Sequence, residues 1–181
     1  MSLQKLILPD HYTSKLDILN TEIGIKLVKD TFERELAKAL KLIRVSAPLF
    51  VRPESGLNDD LNGVERPVQF DVLEMHADVQ VVHSLAKWKR LALKRYGFGP
   101  GGGLYTDMNA IRRDEDLDNL HSIYVDQWDW EKVITEEERT LDTLKDAMQR
   151  IVTAVCGTLD LIKWKYPDIP VTLSRDIVFV T

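Results

Sequence analysis

Residues 121–131 read HSIYVDQWDWE, and polar and apolar residues alternate along this stretch. An alternation with a period of two predicts a β-strand, because successive side chains of a strand point to opposite faces of the sheet. The odd-numbered face begins apolar and becomes polar, which is typical of a sheet that floors a binding site. An ordinary strand that runs out into solvent is an equally open interpretation. The odd-numbered residues are Ile123, Val125, Gln127, Asp129 and Glu131.

The segments around this strand predict a chain that mixes helices and strands. Apolar residues recur at three- and four-residue steps in three segments, which predicts helices over 24–44, 85–95 and 136–165. Runs of β-branched and aromatic residues predict five further strands. These runs are VSAPLFV at 45–51, QFDVL at 69–73, VQVVHS at 79–84, LYTDMNAIR at 104–112 and DIVFVT at 176–181. These segments therefore predict alternating helices and strands, with a loop over 53–66.

The composition excludes several classes of protein. The chain has 181 residues, with 24 Lys and Arg against 29 Asp and Glu, and a net charge of −5. An acidic chain is a poor non-specific binder of nucleic acid or anionic membrane, since both attract clustered cations. The single Cys156 excludes a disulfide framework and a Cys-based zinc site. No apolar run approaches the roughly 20 residues that span a bilayer, and the N-terminus is too polar for a secretory signal. We therefore expect a cytoplasmic protein with no nucleic-acid or membrane partner.

The stretch 84–113 differs in charge from the rest of the chain, because it contains seven basic residues and one acidic residue. Such local charge suits an anionic ligand, for example a nucleotide phosphate or a carboxylate, although a solvated helix face is the alternative. Arg112 favours the ligand interpretation because it ends an apolar strand. The string GFGPGG at 97–102 matches GxGxxG, but it follows a predicted helix and precedes a predicted strand. A dinucleotide-binding motif requires the reverse order, so we interpret this string as a connector.

Three longer strings have a more specific resemblance. VVHSLAKWKR, GLYTDMNAIRRDED and LHSIYVDQWDWE together resemble the ammonia-dependent aspartate–ammonia ligases, the type A asparagine synthetases. The resemblance runs from about Leu27 to the last residue. It implies an N-terminal extension over 1–23 and, over 24–181, the N-terminal part of a single catalytic domain. It also implies an α+β fold of the class II aminoacyl-tRNA synthetase catalytic-domain type, with an antiparallel sheet flanked by helices. In this family the protein is a homodimer, and the 24–44 helix would lie at the dimer contact.

The reaction of this family implies three catalytic residues. Members convert L-aspartate, ammonia and ATP to L-asparagine, AMP and pyrophosphate through a β-aspartyl-adenylate. The resemblance assigns Lys89 and Arg112 to the anionic groups, with Arg112 nearest the α-phosphate of ATP and therefore also nucleotide-binding. Asp59, which is an ordinary turn carboxylate when judged from its neighbours alone, would lie beside the reacting carboxylate and ammonia.

The same resemblance implies the residues that hold the substrates. Gln127 and Asp129 would contact the α-ammonium of aspartate from the polar half of the strand face. Ser84 would hydrogen-bond the substrate, and Ser122 would hydrogen-bond the nucleotide. A non-catalytic amino-acid-binding or dimerisation paralogue of the same fold is the alternative, and it would need no adenosine nucleotide. A tRNA-charging enzyme fits less well because the rest of the chain is acidic.

Two parts of the family pattern have no counterpart in the sequence. The third motif of the class II fold is a glycine run closed by an arginine that stacks on adenine, but the GGG at 101–103 is followed by Leu-Tyr-Thr. The acidic residues that bind Mg²⁺ on the nucleotide belong to the C-terminal half of the family, so we expect no metal ligand in this chain. We therefore expect the N-terminal half of such an enzyme, and we expect the 181-residue chain alone to make no asparagine.

Overall fold

The structure is a computed structural model that describes residues 5–180. The α+β class predicted from the sequence is confirmed. The helices are α1 (Ile18–Leu40), α2 (Ala86–Arg95) and α3 (Leu141–Lys165). The strands are β1 (Leu42–Arg44), β2 (Phe50–Val51), β3 (Gln69–Val72), β4 (Ala77–Val81), β5 (Gly103–Ile111) and β6 (Tyr124–Lys132). Short 3₁₀ helices lie at Pro53–Ser55 and Leu73–Met75.

Capping residues explain why two helices differ from their predicted bounds. The Asp17 carboxylate accepts a hydrogen bond from the backbone N of Asn20 at 2.7 Å, so α1 begins well before the predicted start at 24. Lys41 has a left-handed φ of 58°, so α1 ends at Leu40 and does not reach 44. The Thr140 hydroxyl caps α3 in the same way as Asp17 caps α1, so α3 begins later than the predicted 136.

Helix α1 crosses the predicted boundary between 23 and 24. The division of the chain into an N-terminal extension and a catalytic part stays a prediction.

The strands form two three-stranded sheets with the orders β1-β5-β6 and β2-β4-β3. Strands β5 and β6 pair antiparallel over nine residues each, and β1 lies parallel to β5 at the edge. The second sheet is antiparallel throughout. The parallel edge strand is a correction to the predicted antiparallel sheet.

Two predicted strands are wrong. VSAPLFV does not form one strand over 45–51, because the chain leaves the first sheet after β1 and enters the second sheet only at β2. Pro48, which lacks an N–H, lies in this crossing. Residues 176–180 of DIVFVT form no strand, and Thr181 lies outside the described residues. Phe179 instead packs its ring under the Lys145 ammonium at 5.2 Å.

The first sheet is covered on both faces, which fixes the two sides of β5 and β6. Helices α1 and α3 pack on one face around a cluster that includes Leu40 and Tyr105. The other face packs against α2 and the end of β4, around a cluster that includes Leu85 and Met108. Among the described residues, no helix is long and apolar enough to cross a membrane.

Candidate active site

One face of the β5–β6 pair carries the polar residues predicted from the alternation. Cross-strand partners share a face, so the register places Thr106 opposite Asp129 and Met108 opposite Gln127. The buried end of this face lies under α2 and the start of the second sheet, and its polar end continues to Glu131. The predicted grouping of the odd-numbered β6 side chains on one face therefore corresponds to a real surface of the sheet.

Lys89 of α2 and Asp129 of β6 form a hydrogen-bonded ion pair on this face. The Lys89 side chain is only 2% exposed, whereas Asp129 is 26% exposed. The Lys89 Nζ also donates to the carbonyl oxygen of Trp130 at 3.2 Å, and a carboxylate oxygen of Glu131 lies 3.9 Å away. A buried ammonium needs such partners because an unpaired charge is costly to desolvate. The pair places a buried cation directly beside an anion that reaches solvent.

Asp59 and Ser84 form a second contact at the start of α2. The Ser84 hydroxyl donates to Asp59 Oδ2 at 2.9 Å and accepts from the backbone N of Ala86 at 3.3 Å. Ser84 therefore joins the 53–66 loop to the helix that carries Lys89. The structure thus brings Asp59 to Ser84 and Lys89 to Asp129, and α2 links the two contacts.

Arg112 lies one residue beyond β5, and its backbone N donates to the carbonyl oxygen of Ile123 at 2.8 Å. Its guanidinium Nη1 lies 3.7 Å from a carboxylate oxygen of Glu115. Its Nε is buried and has no hydrogen-bond partner among the described residues. A guanidinium has five donors in a planar fork, so Arg112 has donors free for an oxyanion.

The side chains of Gln127 and Ser122 make fewer or weaker hydrogen bonds than the residues in the two contacts that α2 links. The Gln127 amide lies on the same face as Asp129, and its Nε2 is 3.1 Å from the Met108 sulfur. Thioether sulfur is a weak acceptor, so the Gln127 amide can give up this contact and hydrogen-bond a bound ligand instead. Ser122 is exposed and precedes β6. In the part of the chain that the structure describes, no hydrogen bond or ion pair joins Arg112 to Asp59, Lys89 or Asp129.

Two residues outside the predicted site also organise it: Asn58, which the sequence did not single out, and His83, which its position at a strand end predicted to be a structural histidine. Asn58 is buried, and its side chain bonds both the Asp59 and His83 backbones. His83 is 1% exposed, and its Nδ1 lies 3.2 Å from the carbonyl oxygen of Asp59. A carbonyl oxygen only accepts, so Nδ1 carries the hydrogen. The sequence shows only that each of these polar residues adjoins a predicted site residue. A polar residue in such a position can equally be exposed to solvent, so its position alone does not predict that it holds the site residue in place.

An ion pair connects the Asp59 loop to the turn that follows Arg112. Arg66 donates to Asp114 through its backbone N at 2.9 Å, through Nε at 2.9 Å and through Nη2 at 2.6 Å. These contacts with Arg66 hold the pKa of the Asp114 carboxyl well below its usual range. The segment that carries Asp59 and the turn that follows Arg112 are therefore connected to each other.

Metal ligands do not cluster in the described part of the chain. Residues 5–180 contain no group of three or more His, Cys, Asp or Glu side chains that could hold a metal ion.

Together these features define an α+β protein with a charged sheet face suited to a small zwitterionic ligand, and with an arginine after β5 that is suited to an oxyanion. A family model described as aspartate-ammonia ligase matches residues 19–181. The chain therefore belongs to the aspartate–ammonia ligase family, as the motifs in the sequence predicted.

Two curated relatives agree with this assignment. An aspartate–ammonia ligase of Ruminiclostridium cellulolyticum is 62% identical over 180 residues, which cover 99% of this chain and 54% of the relative. One from Lactobacillus johnsonii is 56% identical over 177 residues, or 97% of this chain and 53% of the relative. A pyrrolysyl tRNA synthetase structure from Desulfitobacterium hafniense has a TM-score of 0.48 at 17% identity, covering 75% of this chain and 50% of that one. The chain spans about half the length of the curated relatives it matches.

Proposed function

We propose that this chain is part of an ATP-dependent aspartate–ammonia ligase, which makes L-asparagine, AMP and pyrophosphate from L-aspartate, ammonia and ATP. The observation that carries the proposal is the Lys89–Asp129 pair on an otherwise well-packed sheet face. L-Aspartate carries an α-ammonium beside an α-carboxylate, and an adjacent anion and cation are complementary to both. Gln127, on the same face, is the proposed neutral partner of the bound amino acid. Membership of the family supports this function and does not favour a non-catalytic paralogue.

The first proposed step activates the β-carboxylate of aspartate. One carboxylate oxygen attacks the α-phosphorus of ATP, the bond to the bridging oxygen breaks, and pyrophosphate leaves. Arg112 supports this step because its fork can bind two non-bridging phosphate oxygens as their negative charge increases. The Glu115 carboxylate, 3.7 Å from the guanidinium, is displaced by the phosphate in this proposal. The exposed Ser122 hydroxyl is proposed to bind the nucleotide.

The second proposed step forms the amide. The nitrogen of ammonia attacks the β-acyl carbon, the carbon–oxygen bond to phosphate breaks, and AMP leaves with the former carboxylate oxygen. One proton must leave the nitrogen, and Asp59 is the proposed acceptor. Ser84 donates to Oδ2 of Asp59, so Oδ1 is left to receive the proton.

Three further features of the whole protein belong to the proposal. We infer a class II synthetase-type catalytic domain, a homodimer and a cytoplasmic location from the resemblance of the sequence motifs. We also propose that ATP binds with Mg²⁺, which offsets the charge of the triphosphate. Its ligands are not assigned to this chain, and neither step above depends on them.

The test uses a chimaera that joins this chain to the part of the Ruminiclostridium cellulolyticum relative that this chain does not cover. With ATP, aspartate and ammonium salts, it should form asparagine and AMP in equal amounts. Asp129→Asn should raise the KM for aspartate by about 30-fold or more, since losing a buried charge partner costs about 2–5 kcal/mol. Asp126→Asn is the matched control, because Asp126 lies on the opposite face of β6 and pairs with Lys29. Formation of ADP, or equal effects of the two substitutions, would contradict the proposal.

A further inference from the structure

The loop that carries Asp59 is held by one buried side-chain amide. Asn58 is 8% exposed. Its Oδ1 accepts from the backbone N of Asp59 at 3.0 Å and from the backbone N of His83 at 2.9 Å. Its Nδ2 donates to the carbonyl oxygen of Val81 at 3.2 Å and to Oε1 of Gln80 at 3.4 Å. Two donors and two accepting positions are all that an amide offers, so every one is used.

These contacts fix Asp59 relative to the start of α2. Asn58 holds the backbone N of Asp59, His83 holds its carbonyl oxygen, and Ser84 holds its carboxylate. Lys87, on α2, donates to the carbonyl oxygen of Asn58 at 3.1 Å, which fastens the same loop from the other side. Asn58 therefore fixes the position of the Asp59 backbone, and that backbone in turn fixes the position of the Asp59 carboxylate.

We propose that Asn58 is the positioning residue for Asp59 in the amide-forming step. This inference rests on the proposed function, in which Asp59 receives a proton from the attacking nitrogen. Without the amide, the N–H groups of the half-buried Asp59 and the buried His83 lose their acceptor, and the loop must shift to reach water. Supporting residues of this kind typically change activity by about 10- to 100-fold through small displacements of the group they hold. The Lys89–Asp129 pair makes no contact with Asn58 among the described residues, so the first step should be spared.

In the chimaera, Asn58→Ala should slow the amide-forming step and leave the adenylate-forming step nearly unchanged. Asparagine formation should fall by about 10-fold or more, while aspartate-dependent exchange of pyrophosphate into ATP stays close to the wild-type rate. A purely structural role would lower both rates in the same proportion, because it reduces the fraction of folded enzyme. Asn62→Ala is the matched control: Asn62 lies in the same loop, but within residues 5–180 its side chain bonds only to Glu65. It should leave both rates unchanged.

Amide hydrogen exchange supplies a readout that does not depend on activity. In Asn58→Ala, the backbone amides of Asp59 and His83 should exchange about 10-fold faster or more, since they lose a buried acceptor. In Asn62→Ala, both should keep wild-type protection. Unchanged protection in Asn58→Ala, or an equal fall in the two reaction rates, would overturn the inference. If the wild-type chimaera makes no asparagine, the proposed function is wrong, and the exchange data still decide whether Asn58 holds Asp59.

Discussion

Removing the Asp129 carboxylate should destabilise the fold more than removing the Lys89 ammonium. Asp129→Asn leaves the ammonium of a lysine that is 2% exposed without its main counter-ion, whereas Lys89→Met leaves a carboxylate that is 26% exposed and can regain water. Removing one partner of a buried pair costs about 3–5 kcal/mol. Glu131, 3.9 Å from Nζ, offsets part of that cost, so we expect about 2–4 kcal/mol for Asp129→Asn and about 1–2 kcal/mol for Lys89→Met.

A double-mutant cycle measures the coupling directly. The free energy of unfolding of the wild type, both single variants and the double variant of the chimaera is obtained from urea titration followed by tryptophan fluorescence. The coupling energy should be about 2 kcal/mol. The Lys29–Asp126 pair is the control, because its side chains are 35% and 36% exposed on the opposite face of β6. Its coupling should stay below about 1 kcal/mol. Equal coupling energies in the two cycles would refute the argument from burial.

Three other predictions follow from single contacts. Arg112→Lys should lower the rate of pyrophosphate exchange more than it changes the KM for aspartate, since an ammonium cannot form the planar two-oxygen contact; equal effects in steady-state kinetics would argue against the phosphate role. The pKa of Asp114 is held low by Arg66, so their pair stabilises the fold fully above about pH 4 and progressively less as the pH falls below that value. The free energy of unfolding from urea titration should therefore fall less on acidification in Asp114→Asn than in the wild type. Equal falls in the two proteins would contradict the stabilising role of the ionised Asp114 carboxylate. Gly103→Ala should cost about 1–3 kcal/mol, because its Cβ would lie 2.7 Å from the carbonyl oxygen of Glu131; an unchanged urea midpoint would show that the strands can separate to admit it.

Local patterns predicted the elements that form the sheet face. Alternation over 121–131 anticipated β6 at Tyr124–Lys132 and the common face of Gln127 and Asp129. The helical spacing over 85–95 anticipated α2 within one residue. These predictions succeed because one face of each element is buried, and burial leaves a periodic signal in the sequence.

Features that depend on long-range packing left no such signal. The ion pair of Lys89 with Asp129 joins residues 40 positions apart, and only the docking of α2 on β6 creates it. The parallel pairing of β1 with β5 depends on how α1 turns at Lys41. The apolar run DIVFVT predicted a strand, but residues 176–180 make no ladder hydrogen bonds, because strand propensity requires a neighbouring strand to satisfy the backbone.

The fate of a labelled oxygen tests the proposed chemistry most directly. Aspartate carrying ¹⁸O in its β-carboxylate is supplied to the wild-type chimaera with ATP and ammonium, and the products are analysed by mass spectrometry. An adenylate intermediate requires the carboxylate oxygen that attacks phosphorus to leave with it, so one ¹⁸O should appear in AMP for each asparagine formed. Label that appears in inorganic phosphate, or AMP that carries none, would contradict the assignment of this sheet face and Arg112 to aspartate adenylation.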